Sequence, residues 1–266
     1  IVVNMSDKVE VLESKTAKRI GQINIPNCRY ITFYKSKAYI TAYDGYVSVV
    51  DTASLKEEKQ IAVGKQPEEM AVVGSKLYVA NSGGYNYPNY ERTVSVIDLN
   101  TLTEIKRIDV AINLHRLKAD QYGDLYVTSR GDYYNIPSNL FVIDTKTDQV
   151  KKTFNLAASN IAIHNDEAYL YSVEWNNNAG SNTISYAKIN VKDETIINKS
   201  FITDGTDKSI VIPYGIAVNP ANSDVYVTDA KDYVSPGTLY CFDKEGKKKF
   251  SVFTGDIPAH LVFLNK

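Results

Sequence analysis

The chain has 266 residues, 44% hydrophobic and 23% charged, the balance of a folded protein with a sizeable core. Lys and Arg total 30 against 31 Asp and Glu, and the resulting net charge of −1 argues against a nucleic-acid binder, whose affinity comes from neutralising phosphates. Two cysteines, Cys28 and Cys241, make neither a disulfide framework nor a CxxC metal site, and no run of 18 apolar residues marks a membrane helix.

The first element, 1–6, is an apolar run with no preceding Met. It reads as the middle of a strand, so a mature or N-terminally shortened chain is expected. Strands over 9–12 and 18–25 follow. From there a cycle of four strands, A to D, repeats. Strand A falls at 30–33, 70–73, 115–118, 160–163, 215–218 and 260–263, the copy at 115–118 being the most polar. Strand B carries the clearest phrase, as in Leu77-Tyr-Val-Ala-Asn-Ser82, Leu125-Tyr-Val-Thr-Ser-Arg130 and Val225-Tyr-Val-Thr-Asp-Ala230. Strand C falls at 47–50, 94–97, 140–143, 184–187 and 239–242, and an Asp (Asp51, Asp98, Asp144, Asp243) follows most copies to open a turn. Strand D is Lys-rich at 57–63, 104–110, 150–156, 196–202 and 247–253, as suits the solvated edge of a sheet.

Successive strand-B tyrosines (Tyr39, Tyr78, Tyr126, Tyr169, Tyr226) stand 39, 48, 43 and 57 residues apart. Blades of a β-propeller recur at about 40–50 residues. The expected fold is therefore all-β, one propeller domain over 1–266, built of four-stranded antiparallel blades in six repeats. Residues 258–264 are expected to pair beside 1–6, or else the chain is cut from a seven-bladed parent.

The B–C and D–A connections of a propeller open on one face. The B–C loops hold Tyr43; Tyr85, Tyr87 and Tyr90; Tyr133 and Tyr134; Trp175 and Asn176; and Tyr233. The opposite turns are short and polar. Aromatics with amides on long loops suit ligand contact better than a catalytic cleft, though any one Tyr can equally fold back to pin its loop. Arg29, Gln66, Glu68, Glu69, His115, Arg116, Tyr214 and His260 enter the same rim from the D–A side, with Arg130 and Asp229 at the ends of B strands. Each can face a ligand or make an ordinary loop contact.

No HxH, HExxH, G-x-S-x-G or P-loop spacing occurs, and Asp204-Gly-Thr-Asp207 lacks the ligand alternation of a Ca²⁺ loop. No metal and no required cofactor is expected. The chain reads as a non-enzyme. The alternative is acid–base chemistry by His115 and His260, which hold equivalent repeat positions.

Leu77-Tyr-Val-Ala-Asn-Ser82, Thr93-Val-Ser-Val-Ile-Asp98 and Ile108-Asp-Val110 together resemble the YVTN/YncE-like propeller repeat. The run from Pro213 to Tyr233 and the ending Gly255-Asp-Ile-Pro-Ala-His-Leu-Val-Phe263 resemble the Bacteroidetes "surface layer protein" or DUF5074 propellers, a group that includes the BtuG-type cobalamin-binding lipoproteins. That resemblance implies a lipid-anchored protein on the outer-membrane surface, with the periplasm as the alternative. It implies capture of a corrinoid for a TonB-dependent transporter, a seven-bladed parent, and a lipid anchor outside this chain. It carries over no individual ligand contact, because the B–C loops vary within such families. A glycan- or protein-interaction scaffold and a YncE-like lyase are the other readings.

Overall fold

A computed structural model describes residues 2–3, 7–176 and 179–264. The chain divides into two compact units, residues 1–119 with 123–154, and residues 120–122 with 155–266.

The first unit holds four antiparallel sheets, each a meander of consecutive strands. The first has three strands, Val2–Val3, Lys8–Leu12 and Arg19–Asn24. Residues 1 and 4–6 of the expected opening strand lie outside the described residues. The second runs Cys28–Tyr34, Lys37–Ala42, Tyr46–Asp51 and Glu57–Ala62. The third runs Pro67–Val73, Lys76–Asn81, Thr93–Asp98 and Thr103–Asp109. The fourth runs Leu114–Ala119, Asp124–Ser129, Asn139–Asp144 and Gln149–Thr153. The second unit holds two sheets. They are Asn160–His164, Glu167–Asn176, Ser181–Asn190 and Thr195–Asn198, then Pro213–Val218, Val225–Asp229, Thr238–Phe242 and Lys248–Phe253. These are the blades of a β-propeller.

The cores lie between sheets, not within one. Tyr39, Val47 and Val49 of the second sheet pack on Met70, Leu77, Val79 and Ile97 of the third. Tyr78, Val94 and Val96 of the third pack on Leu117, Leu125 and Val127 of the fourth. Strands B and C bury both faces, which is why their apolar runs are nearly continuous, whereas Glu57–Ala62 and Lys248–Phe253 are exposed almost throughout. The Asp after strand C caps its turn as expected: Asp51 accepts from Ser54 N at 2.8 Å, and Asp144 from Lys146 N at 2.7 Å. Cys28 and Cys241 are buried thiols, and Cys28 Sγ donates to Lys8 O at 3.3 Å.

The Thr of the Tyr-Val-Thr phrase (Tyr-Ile-Thr at 39–41) has a structural task. The inner strand bulges opposite it, and the Thr hydroxyl accepts the stray N–H: Tyr30 N to Thr41 at 3.0 Å, Arg116 N to Thr128 at 3.0 Å, Gly215 N to Thr228 at 2.7 Å. Two of these hydroxyls also donate to a later segment, Thr41 to the Glu68 carbonyl and Thr228 to the Pro258 carbonyl.

Three expectations are corrected. Residues 260–263 form no strand. The segment is irregular, tied by its Thr228–Pro258 bond and by Phe263 against Tyr226. The outer strand expected over 196–202 ends at Asn198, because Phe201 turns inward to meet the rings of Tyr169 and Tyr186 edge-on. The region 174–182 is not an open loop: pairing continues out to Asn176↔Ser181, so Trp175 stands on a long hairpin opposite Asn182.

Candidate functional site

The register aligns the inner strands of the first unit. Ile31, Met70 and Leu117 pair with the central residue of their B strands, so Arg29, Glu68 and His115 hold one equivalent position and Tyr30, Glu69 and Arg116 the next. Polar side chains from three blades are thereby placed at the bulges, where an apolar strand would otherwise run.

Glu68 is 3% exposed. Its carboxylate accepts from Arg29 Nε at 2.9 Å, from Arg130 Nη1 at 3.1 Å and from the Tyr43 hydroxyl at 2.7 Å. Burial alone would raise this carboxyl. The charges of Arg130 and Arg29, with the Arg29 and Tyr43 bonds, hold it below the usual carboxylate range. Burial and the Glu68 charge push the Tyr43 hydroxyl up, so it stays a donor. Glu69, 2% exposed, accepts from Leu117 N at 3.0 Å and from Lys118 Nζ. Against the opposing effect of burial, Lys118 and Arg116 keep Glu69 ionised. Lys118 also lies 5.6 Å from the centre of the Tyr30 ring, and burial and Glu69 push the Tyr30 hydroxyl up to about 12.

The B–C loops above this layer are rigid. Ser82 Oγ donates to Gln66 O at 2.8 Å and Ser129 Oγ to Ile112 O at 2.7 Å. Asn113 Nδ2 donates to Gly131 O at 3.0 Å. Asp132 Oδ1 accepts from the backbone N–H of Tyr134, Asn135 and Ile136, bonds that hold its carboxyl low. Gly131 has φ +63°, and a Cβ there would lie 1.8 Å from Ile136 O, so only Gly fits the crossing.

These loops present tyrosines outward. Tyr85 is 76% exposed, Tyr87 64%, Tyr133 64% and Tyr134 74%. Ring contacts join Tyr43 to Tyr85 at 5.3 Å, Tyr87 to Tyr90 at 6.0 Å and Tyr87 to Tyr134 at 6.3 Å. The Arg29 guanidinium lies 5.2 Å from the Tyr43 ring, joining the aromatic layer to the ion-pair layer. Arg29, Tyr43, Tyr85, Tyr87, Tyr90, Arg130 and Tyr134 thus form connected groups, with His115 half-buried on the inner strand. Tyr30 and Lys118 join them although sequence reasoning did not single them out. The signal was there: a polar residue in an inner strand that is apolar elsewhere.

The remaining candidates belong to the second unit. Trp175 is 62% exposed on the hairpin, and Asn176 Oδ1 accepts from Ala179 N within the turn. Tyr214 and Tyr233 meet edge-on at 5.8 Å. Asp229 is buried, its carboxylate committed to the backbone N–H of Val211, Ile212 and Lys231. His260 is exposed in the irregular C-terminal segment. A recess of about 470 Å³ is lined by Ser185, Tyr186, Lys199 and Asp207 among others. No group of three or more His, Cys, Asp or Glu placed to hold a metal occurs among the described residues.

The family description "Domain of unknown function (DUF5074)" matches residues 2–263. Two solved structures are similar in fold. Kuenenia stuttgartiensis hydrazine synthase superposes with a TM-score of 0.70 at 17% identity, over 90% of this chain and 71% of that one. The Neurospora crassa Pan2 WD40 domain gives 0.65 at 12% identity, over 94% and 73%. At these identities the likeness is one of fold alone. No curated protein matches the chain.

Proposed function

We propose that this chain, which belongs to the DUF5074 family, is a non-enzymatic propeller that captures a corrinoid-like ligand at the cell surface for a TonB-dependent transporter. The observation that carries the binding reading is the set of outward tyrosines, Tyr85, Tyr87, Tyr133 and Tyr134, each at least 64% exposed on a loop locked by its own hydrogen bonds. Exposed aromatics, two of them (Tyr87 and Tyr134) in ring contact, cost solvation that an isolated chain does not recover, and they mark interaction surfaces. Rigid loops lose little entropy on binding, so more of the contact energy reaches affinity.

A corrinoid is a large flat macrocycle fringed with amides. Tyr faces cover its apolar edges, while tyrosine hydroxyls meet its amides. The surface placement, the lipid anchor and the transporter rest on the family resemblance. Catalysis is disfavoured because the two buried carboxylates of this layer are committed to partners: Glu68 and Glu69 are ionised and hydrogen-bonded, not poised to exchange a proton at neutral pH. Calorimetric titration with cyanocobalamin tests the ligand. Heat that saturates supports it, and no heat at high micromolar protein removes it. A glycan array run beside it identifies the other chemistry suited to a tyrosine surface.

A further inference from the structure

The inner-strand layer of the first unit carries four cations, Arg29, Arg116, Lys118 and Arg130, against two carboxylates, Glu68 and Glu69. Their exposure is lopsided. Glu68 and Glu69 are 3% and 2% exposed, while the side chains of Arg29, Arg130 and Lys118 are 27%, 24% and 32% exposed. Solvent therefore meets the cations and not the carboxylates that neutralise them.

Arg116 is the unmatched charge. Arg29 and Arg130 share Glu68, and Lys118 takes Glu69. Among the described residues Arg116 makes no ion pair, though its charge is felt by Glu69. Its backbone N–H is held by Thr128, but its side-chain Nε is buried without a hydrogen-bond partner. A buried, unpaired guanidinium N–H is costly and rare enough in a native fold to need a reason. It sits on a hydrogen-bonded strand, next to a lysine of the same sign, so the chain holds it there against repulsion.

We propose that Arg116 is the anchor of an oxyanion subsite, which takes a phosphate or carboxylate group of the ligand held on this face. Guanidinium pairs with a two-oxygen anion through parallel N–H donors, and Nε is one of the donors such a fork uses. Lys118 supplies a second positive charge, and the bound anion balances the surplus. The subsite rests on the reading that this face binds a ligand, but not on that ligand being a corrinoid.

The test is a titration of the full chain, selectively ¹⁵N-labelled at its six arginines. Sodium phosphate and sodium acetate are each added at constant ionic strength with chloride. The expected result is a saturating shift of the Arg116 Nε–Hε signal, assigned with R116Q, while Arg92 and Arg107 on the outer surface stay still. Response to phosphate alone assigns a phosphate-bearing ligand, response to acetate alone a carboxylate, and response to both a general oxyanion subsite. In the same buffers Tm rises with the active anion, and R116Q abolishes that rise while keeping or raising Tm in chloride. A flat Arg116 signal, or six arginines moving alike, overturns the proposal whether or not R116Q folds. A saturating Arg116 shift with no heat from cyanocobalamin keeps the subsite and removes only the corrinoid. Cyanocobalamin heat with a flat Arg116 signal does the reverse.

Discussion

Glu68 and Arg130 are 62 residues apart in sequence and 3.1 Å apart in space, and Arg29 closes on the other carboxylate oxygen at 2.9 Å. One buried carboxylate thus joins three consecutive blades of the first unit through their inner strands and the B–C loops.

Replacing that carboxylate with an amide is expected to destabilise the fold. Breaking a buried ion pair costs about 3–5 kcal/mol, and the partial exposure of both arginines screens this, so Glu68→Gln is expected to lose about 2–3 kcal/mol. Urea denaturation measures it. A loss confined to a few tenths would show that Arg29 and Arg130 are solvated without their partner.

Acid should unfold the protein through the same groups. Glu68 and Glu69 both titrate below their ordinary value of 4.5 in the folded chain. The stability each contributes is complete above 4.5 and is lost as pH falls through the folded values. Tm is expected to be level above about pH 5 and to fall below about pH 4. The acid limb should be shallower in E68Q and in E69Q. Superimposable limbs in wild type and both variants would place the acid sensitivity elsewhere.

Thr128→Val keeps the shape of the side chain but strands the bulge N–H of Arg116, and is expected to cost about 1–3 kcal/mol. T41V should cost at least as much, since Thr41 also donates to the Glu68 carbonyl. Equilibrium unfolding of the two variants checks the order. Neutral substitution of both would mean that water replaces the hydroxyl.

Gly131→Ala forces a Cβ into the Ile136 carbonyl at a positive φ, so the loop holding Tyr133 and Tyr134 must rebuild. A loss of about 1–3 kcal/mol is expected. Ligand affinity should fall with it, because the tyrosines lose their fixed positions. Unchanged affinity would separate loop rigidity from binding.

The blade cycle was legible because strands buried on both faces must be apolar along their length, and because a Tyr-Val-Thr phrase repeats where the bulge needs a hydroxyl. Lys-rich edges and the Asp after most C strands were equally direct. The hairpin at Trp175 was not, since Asn and Gly near its tip read as loop whether pairing stops before or after them. Residues 260–263 misled for a different reason: they have the composition of an inner strand, but the segment is held through the Pro258 carbonyl and the Phe263 ring instead of by ladder pairing. Arg29, Glu68 and Arg130 were each visible as rim candidates. That they meet was not, because the contact spans three blades and depends on register. Asp229 looked like its neighbours in the rim, and only three backbone donors distinguish it.

The most direct test of the tyrosine surface is calorimetric titration of cyanocobalamin into wild type and a Tyr87→Ala/Tyr134→Ala variant. Both side chains are largely exposed, so stability should change by no more than about 0.5 kcal/mol each, while hot-spot truncation costs about 2 kcal/mol or more of binding. The expected result is saturable binding by the wild type that weakens at least about 30-fold in a variant of unchanged Tm. Wild-type binding that the variant retains in full would contradict the claim that these tyrosines form the ligand surface.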